Sequence, residues 1–408
     1  MTKDSVRGSG IEHVSAQSRK KRSVAGARKT NNFRIVGMPL DRPFLVIVLI
    51  LLVIGILMMG SASYVWSMND YGNGTYYFNR QTLFAIVGLV GMFALSFLDY
   101  HFFQNTKVAY IVLGVAFFIT LITSFVGNEV AGARRWIEIG GISFQPSELL
   151  KVAFIIIFAY LGALNYPKFK DIRYSIGAYL LILAPCCGVL VLQRHLSGVL
   201  IFGLIGMIMI LISGVPIRHF ALLCTVAVIG AGGFLLLKMA GSGSGFGYIT
   251  ERIQSWRDPK SDILGSTLQT YQSLMAIGSG GVFGLGFGQS RQKHLWLPEA
   301  QNDFVFSIVC EELGFVGAMA VIILFALFIF RGFYIASNAP DRFGMLLCAG
   351  VTVQIGIQAL LNIGVACNAF PNTGISLPFF SYGGTATMVQ LAEMGLILSV
   401  SRQASRQE

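Results

Sequence analysis

Charged residues are scarce in this sequence. Asp, Glu, Lys and Arg make up only 12% of the 408 residues, whereas 54% are hydrophobic. A soluble domain carries about 25% charged residues. So small a charged fraction argues against the two or three soluble domains that the length alone would allow. With 47 Gly and 32 Phe, the composition instead indicates closely packed apolar helices in a membrane.

Cysteine and histidine are too few and too scattered to form a metal cage or a disulfide framework. The six cysteines show no CxxC spacing, and most lie inside apolar runs. The five histidines are spread over the chain without the spacing of metal ligands. We therefore predict neither structural disulfides nor a metal ion bound by protein ligands alone.

Long apolar runs occur ten times, and most approach the roughly 20 residues that a bilayer requires. We therefore predict an all-α integral membrane protein of ten transmembrane helices. The runs are 43–65, 81–98, 107–126, 147–164, 175–192, 197–214, 217–238, 303–331, 343–363 and 383–400.

Positive charge is concentrated before the first run. Residues 1–42 hold ten Lys or Arg and three acidic residues, a net charge of +7 out of +11 for the chain. Next to an apolar span, a basic segment indicates a cytoplasmic flank and not a nucleic-acid site. We predict a disordered tail at 1–42, a membrane domain at 43–401 and a short C-terminus at 402–408. Both ends are predicted to be cytoplasmic, with a large outer loop at 239–302.

Three outer segments are irregular and rich in Gly, Pro and polar residues: 131–151, 239–303 and 362–384. Such segments cannot lie against lipid, because their backbone groups would be unsatisfied. They are the predicted location of the functional site. Within the second segment, the spacing of apolar residues from Leu268 to Ile277 predicts an interfacial or re-entrant helix.

Asp303 stands where the second segment meets the eighth apolar run. Two roles are open for it: capping the following helix, or taking part in chemistry. Glu148 and Lys151 have the spacing of an ion pair on one helix face, which could be structural or could shape a polar cavity. Arg135 could hold a phosphate bidentately or contact lipid headgroups.

Five blocks in a fixed order carry a family resemblance. They read GARRWIEIGG…FQPSELLK, RIQSWRDP, QSLMAIGSGGVFGLGFGQS, LPEAQNDFVFSIVCEELGFVG and NIGV..N.FPNTGISLPFFSYGG. Together they resemble the SEDS family (shape, elongation, division and sporulation), most closely its cell-division branch, then its sporulation and rod-elongation branches. The resemblance covers about 130 to 385, and the family's ten spans match the predicted count.

The resemblance implies a glycosyltransferase that polymerises lipid II into peptidoglycan at the outer face of the bacterial cytoplasmic membrane, at the division septum. It also implies a class B penicillin-binding protein and other cell-division membrane proteins as partners. No protein-bound metal is expected, although Mg²⁺ or Mn²⁺ could accompany the substrate pyrophosphate. A flippase for the lipid-linked precursor and a non-catalytic division scaffold are the alternatives.

By the same resemblance, Asp303 is the expected catalytic residue. The expected substrate-binding residues are Arg135, Glu148, Lys151, Arg252, Gln272, Ser273, Lys293, Glu299, Asn302, Asn368, Asn372 and Ser381. One departure is visible: Gln193-Arg194-His195-Leu196-Ser197 stands where many members have Gln-Pro-Asp-Leu-Gly. No role is assigned to it from the sequence.

Overall fold

A computed structural model describes residues 40–130, 133–140, 142–240 and 247–404. These residues belong to one compact unit, Arg34–Glu408. The predicted tail at 1–42 therefore lies almost entirely outside the described residues, as do the last four residues of the chain.

The described residues form twelve α-helices, and each of the ten apolar runs coincides with one of them. The helices are α1 (Arg42–Tyr71), α2 (Tyr76–Phe97), α3 (Thr106–Val126), α4 (Pro146–Asn165), α5 (Ala178–Leu192), α6 (Leu196–Ile212), α7 (Ile217–Ala240), α8 (Gly247–Arg257), α9 (Leu268–Ser279), α10 (Val305–Ser337), α11 (Arg342–Ala366) and α12 (Gly384–Ala404).

Seven of the described helices are long and apolar enough to cross a membrane: α1 to α5, α10 and α11, with α4 and α5 extended by the turns beside them. Two shorter apolar helices cover 196–212 and 217–227. The molecule is therefore a mostly helical, multi-pass membrane protein. The predicted helix at Leu268–Ile277 is confirmed as α9.

A small antiparallel sheet interrupts the helices, with the strand order β1 (Asn128–Val130), β2 (Ala133–Ile139) and β3 (Ile142–Phe144). The all-α prediction is wrong for this segment. Trp136, Ile137 and Ile139 give β2 the aromatic and β-branched residues that are typical of strands. Gly140 takes a φ of 58°, which lets the chain turn between β2 and β3.

A break in α10 shapes the end of the helix bundle at which Asp303 lies. Gly314 has φ 68° and ψ −167°, a conformation that is essentially restricted to glycine. Residues 280–292 form a loop, here called the hairpin, that folds back onto α10. Its backbone groups replace the missing helical hydrogen bonds: Phe315 N donates to Gly281 O at 2.9 Å, and Leu285 N donates to Glu311 O at 2.9 Å. Residues 280–288 are thereby joined to α10 by main-chain bonds.

Two buried carboxylates hold the rest of this hairpin. Glu312 accepts from the backbone N of Gly288 at 2.9 Å, from Ser61 Oγ at 2.7 Å and from Lys293 Nζ at 3.0 Å. Glu311 accepts from the backbone N of Arg291 at 3.0 Å. Both side chains have no exposed surface, so these bonds supply the partners that a buried polar group needs.

Helices α4, α11 and α12 lie at the centre of the bundle, and most of their side chains are buried. Helix α3, by contrast, exposes large apolar side chains such as Phe118 and Ile122, as a lipid-facing helix does. Polar residues on the central helices therefore face other helices and not lipid.

We expect Gly314→Ala to destabilise the protein strongly. An added Cβ would lie 2.2 Å from the backbone N of Gly284, and the backbone conformation alone costs about 1–3 kcal/mol for a non-glycine residue. Gly114→Ala is the matched control, because nothing lies within 4 Å of a Cβ there; it should be neutral or stabilising by up to about 1 kcal/mol. Thermal unfolding in one detergent measures both, and equal midpoints would contradict this account of the break.

Candidate active site

Asp303 lies in the turn that leads into α10, but it does not cap that helix. The helix begins at Val305, its N-cap is Phe304, and no side chain accepts a capping hydrogen bond. Asn362 Nδ2 on α11 donates to the carbonyl of Asp303 at 2.7 Å and to that of Ile375 at 2.7 Å. The capping alternative is therefore excluded, and Asp303 is held where the second and third outer segments meet.

Gly374 gives the carboxyl of Asp303 room beside an arginine. A Cβ at position 374 would lie 3.4 Å from Asp303 Oδ2 and 3.8 Å from Arg252 Nη2. The carboxylate and the guanidinium therefore border the same small space. Arg252 is positioned from its other side, because its Nη1 donates to the carbonyl of Asn372 at 2.6 Å.

The pKa of Asp303 is raised to about 6. Burial is the largest cause, and the nearby carboxylate of Glu299 adds to it; Arg252 and Arg135 act in the opposite direction. A carboxylate with this pKa is mostly ionised at neutral pH and more basic than an ordinary aspartate. It is therefore suited to accept a proton from a reacting hydroxyl.

Arg135, on strand β2, also acts electrostatically on Asp303. Its Nη2 donates to the carbonyl of Arg194 at 3.3 Å, and its charge acts on both Asp303 and His195. Burial, followed by Arg135 and Lys151, lowers the pKa of His195 to about 3. His195 is therefore a neutral neighbour of two cations at neutral pH, so the departure noted in the sequence borders the site.

The predicted ion pair on α4 is confirmed. Lys151 Nζ lies 2.8 Å from Glu148 Oε2, and the two side chains are only 5% and 10% exposed. Since both are nearly removed from solvent, the pair is part of the helical interior and not a surface contact.

Several other predicted site residues have structural contacts. Ser273 bonds to Ser307 Oγ at 2.6 Å and to the carbonyl of Ala366 at 2.8 Å, which joins α9 to α10 and α11. Ser381 Oγ accepts from the backbone N of Leu377 at 2.7 Å within a turn.

The remaining polar predictions lie in the second and third outer segments. Asn368 and Trp256 exchange side-chain-to-backbone bonds at 3.2 and 3.1 Å. Asn372 Nδ2 donates to Gln269 Oε1 at 2.9 Å, and Asn302 Nδ2 donates to Glu299 Oε2 at 2.5 Å. Gln272, also on α9, is partly buried.

Lys293 is placed differently from the prediction. Its ammonium group lies 3.0 Å from Glu312 Oε1 and 2.5 Å from the carbonyl of Gly288, and its side chain is 6% exposed. Lys293 therefore neutralises Glu312, one of the two buried carboxylates that hold the hairpin. The sequence could not show this, because Lys293 and Glu312 are 19 residues apart.

Glu393 on α12 is a further polar residue that the sequence reasoning did not single out. It is fully buried, and Gln354 Nε2 on α11 donates to both of its carboxylate oxygens at 2.8 Å. A signal was available, since an ionisable residue inside an apolar span is costly and usually functional.

Comparison with known proteins identifies the family to which this chain belongs. A family model described as "Cell cycle protein" (FTSW_RODA_SPOVE) matches residues 42–406. The chain belongs to this family. The FtsW/RodA/SpoVE proteins are the SEDS proteins that the five sequence blocks resemble, so that prediction is confirmed.

Individual relatives span nearly the whole chain. "Stage V sporulation protein E" of Bacillus subtilis (strain 168) is 37% identical over 89% of this chain and 97% of its own length. "Probable peptidoglycan glycosyltransferase FtsW" of Geobacter sp. (strain M18) is 33% identical over 88% of this chain and 96% of its own.

Solved structures share the fold. A chain from a study titled "Structural coordination of polymerization and crosslinking by a peptidoglycan synthase complex" aligns with a TM-score of 0.72 at 29% identity, over 90% of this chain and 98% of that one. Thermus thermophilus RodA aligns with a TM-score of 0.64 at 26% identity, again over 90% and 98% of the two chains.

We expect Asp303→Asn to stabilise the protein at pH 7 by up to about 3 kcal/mol. The unfolded carboxyl ionises near its ordinary pKa of 3.8, whereas the folded one keeps its proton up to about pH 6. As the pH rises through this window the unfolded state loses its proton first, so the stability of the parent falls. Asparagine does not titrate.

Thermal unfolding of both proteins between pH 4 and 8 measures this effect. The midpoints should coincide at pH 4 and separate as the pH rises. A constant difference between the two midpoints would contradict the raised pKa of Asp303.

Proposed function

We propose that this protein is a peptidoglycan glycosyltransferase that polymerises lipid II, with Asp303 as its general base. One observation carries the proposal, the surroundings of Asp303 at the outer end of the central helices. Its carboxylate, whose pKa is raised, borders the same small space as Arg252, and the charge of Arg135 acts on it. The relatives named FtsW act in peptidoglycan glycosyl transfer by their names, and the geometry supplies what that reaction needs.

The reaction joins a sugar hydroxyl to the anomeric carbon of a second lipid-linked sugar. As the C–O bond forms, Asp303 takes the hydroxyl proton, a contribution of typically about 10²–10⁴-fold. The bond from the anomeric carbon to the polyprenyl pyrophosphate breaks, and the pyrophosphate leaves with the electron pair. Arg135 and Arg252 are the cations that we assign to the charge developing on it.

A divalent cation fits this scheme only as a companion of the substrate. The described residues contain no group of three or more His, Cys, Asp or Glu that could hold a metal ion. Mg²⁺ often binds through one or two carboxylates together with substrate phosphates. Asp303 and Glu299 would be the protein ligands, and the ion would neutralise pyrophosphate charge.

The membrane arrangement extends the proposal. All ten of the helices that coincide with apolar runs would cross the membrane, so both termini would lie on one side. The basic tail assigns that side to the cytoplasm, with residues 239–302 outside. A class B penicillin-binding protein is the proposed partner, since a solved structure of similar fold comes from a study of a polymerising and crosslinking complex. The division septum is the proposed place of action.

Polymerisation of purified lipid II by the reconstituted protein tests the proposal. Asp303→Asn preserves shape but cannot take up the proton, so activity should fall by at least about 100-fold. Asp258→Asn is the matched control, because Asp258 is an exposed carboxylate of the same outer loop; it should retain parental activity. Near-normal glycan synthesis by the Asp303 variant would favour the flippase or scaffold alternatives.

The pH dependence gives an independent check on the role of Asp303. Because the base must be ionised, parental activity should rise with pH through about 6 and level off above that value. Glu299→Gln removes a negative charge that raises the pKa of Asp303, so the acidic limb of its profile should move to lower pH. A limb that stays in place would indicate that another group titrates.

We expect the outer loop to be reachable only from outside the cell. Lys260 and Lys170 are both exposed, the first in the outer loop and the second between α4 and α5. In a variant with the exposed Cys367 replaced by serine, Lys260→Cys should react with a membrane-impermeant maleimide in intact cells. Lys170→Cys should react only after the membrane is opened, and the reverse pattern would invert the topology.

A further inference from the structure

One face of α11 carries a ladder of three buried amides. Gln354, Gln358 and Asn362 are four residues apart, so they lie above one another on the helix. Their exposed fractions are 1%, 2% and 1%. The side-chain oxygen of each is buried and has no hydrogen-bond partner among the described residues. This pattern recurs three times at helical spacing, so it is a property of the face and not of a single side chain.

The residues at the two ends of the ladder are hydrogen-bonded to Asp303 and to Glu393. At the outer end, Asn362 Nδ2 donates to the carbonyl of Asp303 at 2.7 Å. At the inner end, Gln354 Nε2 donates to both oxygens of the Glu393 carboxyl at 2.8 Å. Eight residues of α-helix separate the two end rungs, a distance of about 12 Å. The ladder therefore connects the candidate active site with a carboxyl in the bundle interior.

Three unsatisfied acceptors on one buried face need donors. Each buried polar atom left without a partner costs about 1–3 kcal/mol. A single cation is a poor solution, because adjacent rungs are about 6 Å apart along the helix and cation–oxygen distances are about 2.0–2.6 Å. Water molecules satisfy such acceptors in series, since a buried water makes about three hydrogen bonds.

The charges around Glu393 point to its protonation state. Two charged groups of α4 act on it: Lys151, and the Glu148 carboxylate that lies 2.8 Å from Lys151. If both carboxyls were ionised, this buried group of three would have a net charge of −1. An uncompensated charge inside a membrane protein is costly, and Lys151 is already paired. A proton on Glu393 removes the excess charge.

We propose that the Gln354–Gln358–Asn362 face of α11 lines a file of bound water that connects the surroundings of Asp303 with a protonated Glu393. The water donates to the three amide oxygens, and Glu393 exchanges its proton through it with the outer site. The inference builds on the proposed function in one respect only, the role of Asp303. In each cycle Asp303 takes one proton from the sugar hydroxyl and releases it to the outer solvent, while the file exchanges protons one for one between Glu393 and that site and takes up no net proton.

Infrared spectroscopy of the full-length protein in lipid nanodiscs at pH 8 tests the file without any measurement of activity. At this pH Asp303 is ionised and does not contribute a carboxylic-acid band. The parent should show a protonated carboxyl C=O band that shifts as soon as H₂O is replaced by D₂O. Glu393→Gln, which preserves the shape, should lack this band.

A substitution of the middle amide, Gln358, distinguishes proton exchange along the water file from exchange through general flexibility of the protein. Gln358→Leu should keep the Glu393 band but slow its exchange by at least tenfold. Ile355→Leu is the matched control, because Ile355 is fully buried on α11 but is not one of the three amides; exchange should remain fast.

The inference fails if Glu393→Gln leaves the band unchanged, if the parental band does not exchange, or if Gln358→Leu exchanges as fast as the parent. Asp303→Asn should keep both the band and its fast exchange. Loss of polymerisation in that variant therefore concerns the proposed function alone, and the two proposals can fail independently.

Discussion

The position of Asp303 depends on the burial of Glu311 and Glu312 beside the break in α10. Their carboxylates accept backbone N–H groups of the hairpin that ends at residue 292, while the hairpin satisfies the backbone that Gly314 leaves open. Neither half of this arrangement is stable alone, since a buried carboxylate and an interrupted helix both need partners. Asp303 lies between the hairpin and the break in sequence, so its position depends on this arrangement.

The catalytic character that we assign to Asp303 comes from its surroundings. Burial and the carboxylate of Glu299 make it more basic, and two guanidinium groups keep it ionised at neutral pH. These opposing influences come from the loop before α10, from α8 and from β2. A site built from separate segments in this way can be held only by a rigid frame, which the mostly buried helices α4 and α11 provide.

The fold could be predicted from the sequence wherever one periodicity dominated. Each long apolar run lies in a helix, and the i,i+3 spacing of Glu148 and Lys151 predicted their ion pair. The strands around Arg135 were missed because three short strands in a Gly-rich segment, the longest of seven residues, give a weak signal. The partner of Lys293 was missed for a different reason: nothing in the local sequence indicates that a hairpin folds back onto α10.

The residues at the site were predicted mainly through the family resemblance. Local spacing left the role of Asp303 open between capping and chemistry, and only the position of the helix start at Val305 excluded capping. Glu393 lay in an apolar run and could have been noticed for its charge. Its relation to Gln354 required the packing of α11 against α12, which no single segment of sequence contains.

The helices differ greatly in length, and this has a consequence for the lipid around them. Helix α6 has 17 residues, about 26 Å, whereas a hydrocarbon core is about 30 Å thick. Helix α10 has 33 residues, but the break at Gly314 divides it, and the part beyond the break, residues 315–337, is about 35 Å long. A bilayer adapts to a short hydrophobic span by thinning locally. In the proposed ten-span arrangement α6 begins directly after His195, beside Arg135, so the headgroup layer would sink towards these residues and bring the proposed lipid-linked substrate to their depth.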